Sequence, residues 1–293
     1  MPPVIDAHNH LSRFPNRVRG LSSGDDADDD RNVAELRAGW VRSMEENGVS
    51  RSVIFDSDNA AVAEFVAEAP DRFSALAVID PRGGEVAIRE AQRWLDGGFS
   101  GVKCSPSAEG SRDGSGYDLD AAESDPFFGY CAENGVPILF HTGVIYINPE
   151  RPASHEVSQA RPLRLDRIAR RHPDLRIVMG HVGRPFWDEA LALSNHPNVY
   201  VDLTWSQLAV HFYRHSVETA LFGFGAERTL FGSDSTPGMP DRSVELLART
   251  RGLLSELGAS AFETSQILGG TAARLFSLPE ATNEKRREGE DAS

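Results

Sequence analysis

The sequence of 293 residues predicts an α/β protein, a (β/α)8 TIM barrel with long loops after strands 1, 4 and 5. Short apolar segments alternate with helical segments eight times, as in a parallel sheet covered by helices. Several of the apolar segments are continuous rather than alternating, which is typical of strands buried on both faces. Three connections that follow strands are long, and barrel enzymes build their sites from such connections.

Eight segments are strand candidates because each is short and rich in Val, Ile, Leu or Phe. In chain order they are Val4–His8, Ser52–Phe55, Ser74–Ile79, Gly101–Cys104, Ile138–His141, Arg176–Gly180, Val199–Leu203 and Thr229–Gly232. The three long loops are Leu11–Arg31, Ser105–Ser124 and Thr142–Pro162.

The segments between the strands carry apolar residues at three- and four-residue spacing, which predicts amphipathic helices. In the first of them Val33, Leu36, Trp40 and Met44 fall near one face, and Gly48 follows as a stop signal. The complete set is Asn32–Asn47, Ala61–Glu68, Glu85–Leu95, Asp125–Asn134, Leu163–Arg171, Phe186–Ser194, Ser206–Phe222 and Ser243–Leu257.

A doubly wound open sheet is the alternative fold. It is less favoured because neither Gly-x-Gly-x-x-Gly nor Gly-x-x-x-x-Gly-Lys follows the first strand, where a nucleotide-binding fold needs it. Neither a repeat of fixed period nor a linker divides the chain. We therefore expect one barrel domain over residues 1–279, followed by a disordered tail, 280–293, that lacks large apolar side chains.

Composition excludes several classes of partner. No stretch approaches the roughly 20 apolar residues that span a bilayer, and a net charge of −14 argues against a nucleic-acid surface. The first residues show no basic region followed by an apolar core, so we expect no secretory signal. The two cysteines, Cys104 and Cys131, provide no disulfide framework. We expect a cytoplasmic protein, without nucleic-acid or membrane partners, that acts on a small molecule.

Metal-ligand residues stand at the ends of four predicted strands. His8 and His10 alternate on the first strand, so their side chains point the same way. His141 ends a later strand, and His181 and Asp234 closely follow two others. In a barrel all these strand ends open onto one cavity. Imidazole and carboxylate ligands suit Zn²⁺, Mn²⁺ or Fe²⁺, which lower the pKa of a bound water. Asp234 could also accept the proton of that water, and His181 could hydrogen-bond an oxyanion or shuttle a proton.

Five motifs in this order resemble the amidohydrolase superfamily, specifically its amidohydrolase-2 branch of TIM-barrel hydrolases and decarboxylases. They are Ile5-Asp6-Ala7-His8-Asn9-His10, Gly101-Val102-Lys103, Phe140-His141-Thr142-Gly143, Gly180-His181-Val182-Gly183 and Leu230-Phe231-Gly232-Ser233-Asp234. The resemblance extends from Ile5 to about Phe276. One departure is Thr271, where the branch usually has Asn; it lies in the closing helix, away from the chemistry.

The resemblance implies that a metal is held by His8, His10, His141 and Asp234, with His181 as the acid–base or electrophilic residue. It also makes Lys103, at the end of the fourth strand, a candidate for a second metal site, because binuclear superfamily members carboxylate a lysine there.

The alternative role of Lys103 is a fixed cation that balances carboxylates or binds a substrate anion. We favour one divalent metal, zinc as first choice with manganese or iron as alternatives, over two.

Three further residues have two interpretations each. Arg184, just after His181, could clamp a substrate carboxylate or form a structural ion pair. Asp202, at the end of the seventh strand, could line the cavity or cap the next helix. Asp6, on the predicted face of His8, could orient a metal ligand from behind.

The leading hypothesis for function is a metal-dependent hydrolase that uses metal-activated water on an ester, lactone or amide of a small, carboxylate-bearing substrate. The alternative is a non-hydrolytic, metal-dependent decarboxylase of an unsaturated or aromatic acid, in which His181 protonates carbon. A metal-binding barrel without catalysis is less favoured, because no expected ligand is missing. A homodimer is expected from the resemblance alone.

Overall fold

The computed structural model describes residues 3–11, 33–107, 110–144, 156–204, 212–237 and 241–278. The strands in these ranges are β1 (Val4–His10), β2 (Val49–Phe55), β3 (Phe73–Ala75), β4 (Ala77–Val78), β5 (Val102–Cys104), β6 (Ile138–Phe140), β7 (Ile177–Met179), β8 (Val199–Asp202) and β9 (Thr229–Leu230). The helices are α1 (Val33–Asn47), α2 (Asn59–Ala67), α3 (Glu85–Asp96), α4 (Asp125–Glu133), α5 (Arg164–Arg171), α6 (Trp187–Leu193), α7 (Tyr213–Glu218), α8 (Asp241–Glu256), α9 (Ala261–Ser265) and α10 (Thr271–Leu275).

Every ladder between these strands is parallel and joins neighbours in chain order. β3 and β4 form one path that changes partner at Leu76. The Leu76 N–H donates to the Ile54 carbonyl, whereas the Ala77 N–H donates to the Gly101 carbonyl, each at 3.0 Å. The predicted third strand, Ser74–Ile79, therefore corresponds to β3 and β4 together, and eight strand positions result.

The first and last strands meet. Backbone hydrogen bonds of 2.9, 2.8 and 2.9 Å run from the Ala7 N–H to the Phe231 carbonyl, from the Asp234 N–H to the His8 carbonyl and from the His10 N–H to the Ser235 carbonyl. A parallel sheet in chain order whose two ends touch is the arrangement of a (β/α)8 barrel. The predicted fold class is confirmed.

Two apolar clusters hold the barrel together. The smaller one contains residues from five strands, such as Val53, Leu139 and Val178, together with Leu76 between β3 and β4, and α10 packs its Ala272 and Leu275 against them. The larger one contains the outward strand residues and the apolar faces of the surrounding helices, with Trp40 and Met44 of α1 buried as predicted. α10, the last helix of the chain, therefore covers the smaller cluster. The metal-ligand residues follow the carboxyl ends of the strands.

One register shift affects the candidate site. Between Asp6 and Asn9 strand β1 advances three residues while its partner β2 advances two, from Ser52 to Ile54. Such an extra residue interrupts the alternation of side chains along a strand.

Asp6 consequently makes no side-chain hydrogen bond to a histidine among the described residues. Its two oxygens accept hydrogen bonds from the Ser233 N–H, the Ser233 hydroxyl and the Ser243 hydroxyl, at 2.8, 2.6 and 2.7 Å. Burial raises the pKa of Asp6, although these hydrogen bonds oppose the shift. Asp6 fixes the backbone next to Asp234 instead.

Some predictions fall partly outside the described ranges. Outside them lie most of Leu11–Arg31, residues 145–155 of the third long loop, residues 206–211 of the seventh predicted helix and the tail 280–293. The second long loop is described except for residues 108–109, and it ends in a 3₁₀ turn, Ala122–Ser124. Among the described helices, none combines the length and the apolar character that crossing a bilayer requires.

Candidate metal site

Three predicted metal ligands form a cluster at the carboxyl end of the barrel. One side-chain ligand atom from each of His8, His10 and Asp234 lies within 4.8 Å of the other two. The His10 Nε2 and the Asp234 Oδ1 are 3.1 Å apart. His8 is fully buried, and its Nδ1 lies 2.7 Å from Oδ2 of Asp202. Its Nε2 is buried and has no hydrogen-bond partner among the described residues.

His141, the fourth predicted ligand, lies beside this cluster rather than within it. Its Nδ1 is 3.2 Å from the Nε2 of His181, and the two rings are 4.7 Å apart. Its Nε2 is also buried without a hydrogen-bond partner in the described ranges. Burial, followed by the neighbouring charge of Lys103, holds the pKa of His141 well below its ordinary value. His141 therefore presents an uncharged ring with one available nitrogen.

His181 contacts both His8 and His141. Its ring lies 4.9 Å from that of His8, and its Nδ1 is 2.5 Å from the Thr204 hydroxyl. Its backbone φ is +57°, and that of Asp234 is +58°. Left-handed backbone costs a residue other than glycine about 1–3 kcal/mol, and such strain is concentrated at functional sites. Hydrogen bonds from the two backbone N–H groups, to Asp202 and to the His8 carbonyl, hold both residues in place.

Asp202 is buried behind the histidines, with 1% of its surface exposed. Its Oδ2 binds His8, while Oδ1 accepts hydrogen bonds from the His181 N–H at 2.7 Å and the Thr204 hydroxyl at 2.6 Å. Burial opposes ionisation of Asp202, but the adjacent His8 and these hydrogen bonds outweigh it and lower the pKa. Both carboxylate oxygens are occupied by protein groups. Asp202 therefore acts through His8, His181 and Thr204, and whether it also lines the cavity or caps the next helix stays a prediction.

Lys103 is the buried cation of the site. Only 2% of the residue is exposed, and its Nζ has no hydrogen-bond partner among the described residues. The Nζ lies 4.7 Å from the centre of the Phe55 ring, within the range of a cation–π contact. Burial lowers the pKa of Lys103 to about 8, although the carboxylates of Asp202 and Asp234 oppose the shift.

Two arginines add positive charge near Asp234. Burial lowers the pKa of Arg184, and the carboxylate of Asp234 opposes that shift. The Arg242 Nη2 lies 3.5 Å from Oδ2 of Asp234, and only 14% of the Arg242 side chain is exposed. Arg242 was missed at the sequence level. A usable signal exists, because it is in the first turn of α8, directly after the loop that carries Asp234.

Glycines make room for this arrangement. A Cβ at Gly232 would lie 2.7 Å from the Cβ of His8 and 2.7 Å from the Cγ2 of Thr204. A Cβ at Gly180 would lie 2.7 Å from the Phe140 carbonyl oxygen. Side-chain carbons essentially never approach other atoms so closely, so the motif glycines before Asp234 and His181 are required by packing.

The family model described as Amidohydrolase matches residues 5–278 of the chain. This range contains all of the candidate ligands and reaches from β1 past α10.

Several solved structures share the fold. An uncharacterized TIM-barrel protein from Bordetella bronchiseptica has a TM-score of 0.71 and 22% identity, over 94% of this chain and 99% of that one. An amidohydrolase from Burkholderia multivorans with bound zinc has a TM-score of 0.68 and 18% identity, over 94% and 100%. A dihydroxybenzoic acid decarboxylase from Polaromonas, with bound manganese and the inhibitor 2-nitroresorcinol, has a TM-score of 0.65 and 21% identity, over 97% and 100%.

Proposed function

The chain belongs to the amidohydrolase family, and from this premise we propose that it is a metal-dependent hydrolase of an ester, lactone or amide of a small carboxylate-bearing molecule. Membership places the chain among metal-dependent enzymes. The observation that carries the proposal is the pair of Nε2 atoms of His8 and His141, which are buried without a hydrogen-bond partner among the described residues, next to the His10–Asp234 pair.

The donor set fits a divalent cation. A buried imidazole nitrogen without a hydrogen-bond partner is costly unless something binds its lone pair. His8 and His141 each offer such an atom, and His10 and Asp234 add a third imidazole and a carboxylate. Three nitrogens and one oxygen suit Zn²⁺ first, and also Mn²⁺ or Fe²⁺. We propose one such metal per chain.

When bound, the metal would lower the pKa of a water molecule and polarise the substrate carbonyl. Asp234 supplies a carboxylate that stays ionised, because the hydrogen bond and charge of His10, with those of His8 and Arg242, outweigh its burial and lower its pKa. The Asp234 Oδ2 faces Arg242 and can accept a proton from water. His181 holds a lone pair or a proton at Nε2, and its contact with His141 must open before that atom reaches a substrate.

The cations around Asp234 favour an anionic substrate. Lys103 is buried with an ammonium group that lacks a hydrogen-bond partner among the described residues. Arg242 contacts the carboxylate of Asp234, and the charge of Arg184 also acts on that carboxylate. A buried charge is stable only when it is paired or hydrogen-bonded. A substrate carboxylate would provide the partner that Lys103 lacks.

Decarboxylation is the second candidate function. The same cations could orient an unsaturated or aromatic acid, and His181 would then protonate the carbon that loses CO₂. The similarity in fold to a protein named as a dihydroxybenzoic acid decarboxylase favours keeping this alternative. A single domain over residues 1–279, a homodimer and a cytoplasmic location stay predictions.

The experiment that separates the two reactions offers the zinc-loaded full chain two groups of compounds. One group contains lactones and esters of small carboxylic acids, and the other contains benzoate-type and muconate-type acids. We expect acid release from the first group, without CO₂, that stops when a chelator is added. CO₂ release from the second group, with no hydrolysis of the first, would contradict the proposal and support the decarboxylase.

A further inference from the structure

We propose that Asp202 is a positioning residue whose two oxygens keep the ring protons of His8 and His141 on Nδ1. Both rings then present a bare, that is unprotonated, Nε2 to the cavity. One oxygen acts on His8 directly, which we call the direct arm. The other acts on His141 through Thr204 and His181, which we call the second arm. The inference rests on the proposed function, because a bare Nε2 on both rings serves to bind a cation.

The direct arm has one possible arrangement of protons. An ionised carboxylate only accepts hydrogen bonds, and Oδ2 of Asp202 lies 2.7 Å from Nδ1 of His8, with both groups buried. The proton of a neutral His8 must therefore be on Nδ1. Its Nε2 then carries a lone pair, which agrees with the absence of a hydrogen-bond partner for that atom in the described ranges.

The second arm begins at the other carboxylate oxygen. The Thr204 Oγ1 lies 2.6 Å from Oδ1 of Asp202 and 2.5 Å from Nδ1 of His181. A hydroxyl has one proton, and the carboxylate can only accept. Thr204 therefore donates to Asp202 and accepts from His181, whose proton is on Nδ1. The reverse direction would leave two acceptor oxygens facing each other at 2.6 Å without a proton between them.

The arm ends at His141. A neutral His181 with its proton on Nδ1 has a lone pair on Nε2, and the atom 3.2 Å away is Nδ1 of His141. That nitrogen must be the donor, so the Nε2 of His141 is bare. His8 and His141 are the histidines whose Nε2 atoms are buried and unpartnered among the described residues.

Thr204 is the residue that makes this arm testable. Without its hydroxyl, the Nδ1–H of His181 has no acceptor, and the alternative tautomers of His181 and His141 become favourable. In that arrangement Nε2 of His181 donates to Nδ1 of His141, and the proton of His141 moves to Nε2, where it blocks a metal. His8 is unaffected, because it depends on the other carboxylate oxygen.

The test uses the full chain with ¹⁵N-labelled histidine, stripped of metal, in long-range ¹H–¹⁵N spectra that distinguish Nδ1–H from Nε2–H. We expect Nδ1–H at His8, His141 and His181 in the wild type. In Thr204→Val, which has nearly the same shape, we expect His141 and His181 to change to Nε2–H. Zinc affinity, measured against a competing chelator, should fall about 10–100-fold, the usual effect of losing a group that orients a metal ligand.

The control is Thr204→Ser, which keeps the hydroxyl and should keep both the wild-type tautomers and the zinc affinity. Nε2–H at His8 or His141 in the wild type would overturn the proposal, and this result does not require any variant to fold. An unchanged His141 tautomer in folded Thr204→Val would also overturn it. Because the spectra are recorded without metal or substrate, an inactive wild type with the expected tautomers contradicts the proposed function and supports the role of Asp202.

Discussion

Replacing Asp234 with asparagine should lower turnover roughly 10³-fold, within the range that loss of a catalytic proton acceptor produces. Asparagine has nearly the same shape but is neutral, so it loses the ionic attraction to the metal and the capacity to accept a proton. Its backbone can keep the left-handed conformation that Asp234 adopts, with φ of +58°, because Asn tolerates that region. The expected change is therefore chemical rather than a loss of fold.

The measurement for Asp234→Asn is kcat at saturating zinc, together with zinc affinity and the urea unfolding curve. The matched control is Asp174→Asn, an exposed residue that precedes β7 at the opposite end of the barrel. The control should leave kcat and zinc affinity unchanged. Near wild-type turnover in folded Asp234→Asn would contradict the role given to this carboxylate.

Replacing Lys103 with methionine should raise KM for an anionic substrate about 10–100-fold, since a hydrogen bond to a charged group contributes about 1.5–3 kcal/mol. At the same time the metal-free protein should become more stable. Methionine fills a similar volume without a buried ammonium group that lacks a hydrogen-bond partner among the described residues. A purely structural lysine would give the opposite combination, a lower stability with an unchanged KM.

The stability effect of Lys103 should depend on pH. Burial lowers its pKa from 10.5 to about 8 in the folded protein, so folding disfavours the charged form. The destabilisation is fully present below pH 8 and disappears as the pH rises to 10.5. Urea unfolding of metal-free Lys103→Met should therefore show a gain of up to about 3 kcal/mol at pH 7 that shrinks toward pH 10. A gain that does not change with pH would contradict this account.

The sequence predicted the barrel and the strand ends well because both follow from local patterns. Apolar runs and helical periodicity define the elements, and a closed barrel brings the strand ends to one cavity. His8, His10 and Asp234 meet as predicted, and the family resemblance is confirmed. The complete ligand set, with His141 and the catalytic role of His181, stays a prediction.

What the sequence did not predict depends on contacts between distant segments. The prediction that Asp6 and His8 share one face of β1 was wrong, because pairing with β2 sets the register shift in β1. No local sequence pattern encodes that pairing. The sequence did not decide the role of Asp202, because its contacts with His8 and Thr204 depend on how distant segments pack together. The sequence contains a weak indication that Thr204 accompanies Asp202. Thr204 follows Asp202 by two residues, the spacing that places strand side chains on one face.

The most direct test of the central claim is the metal content of the purified full chain, followed by removal and return of the metal in the hydrolysis assay. We expect about one divalent metal per chain, loss of activity on chelation and recovery when zinc, manganese or iron is added back. A protein that contains no divalent metal, and whose activity does not respond to chelation, would contradict the account.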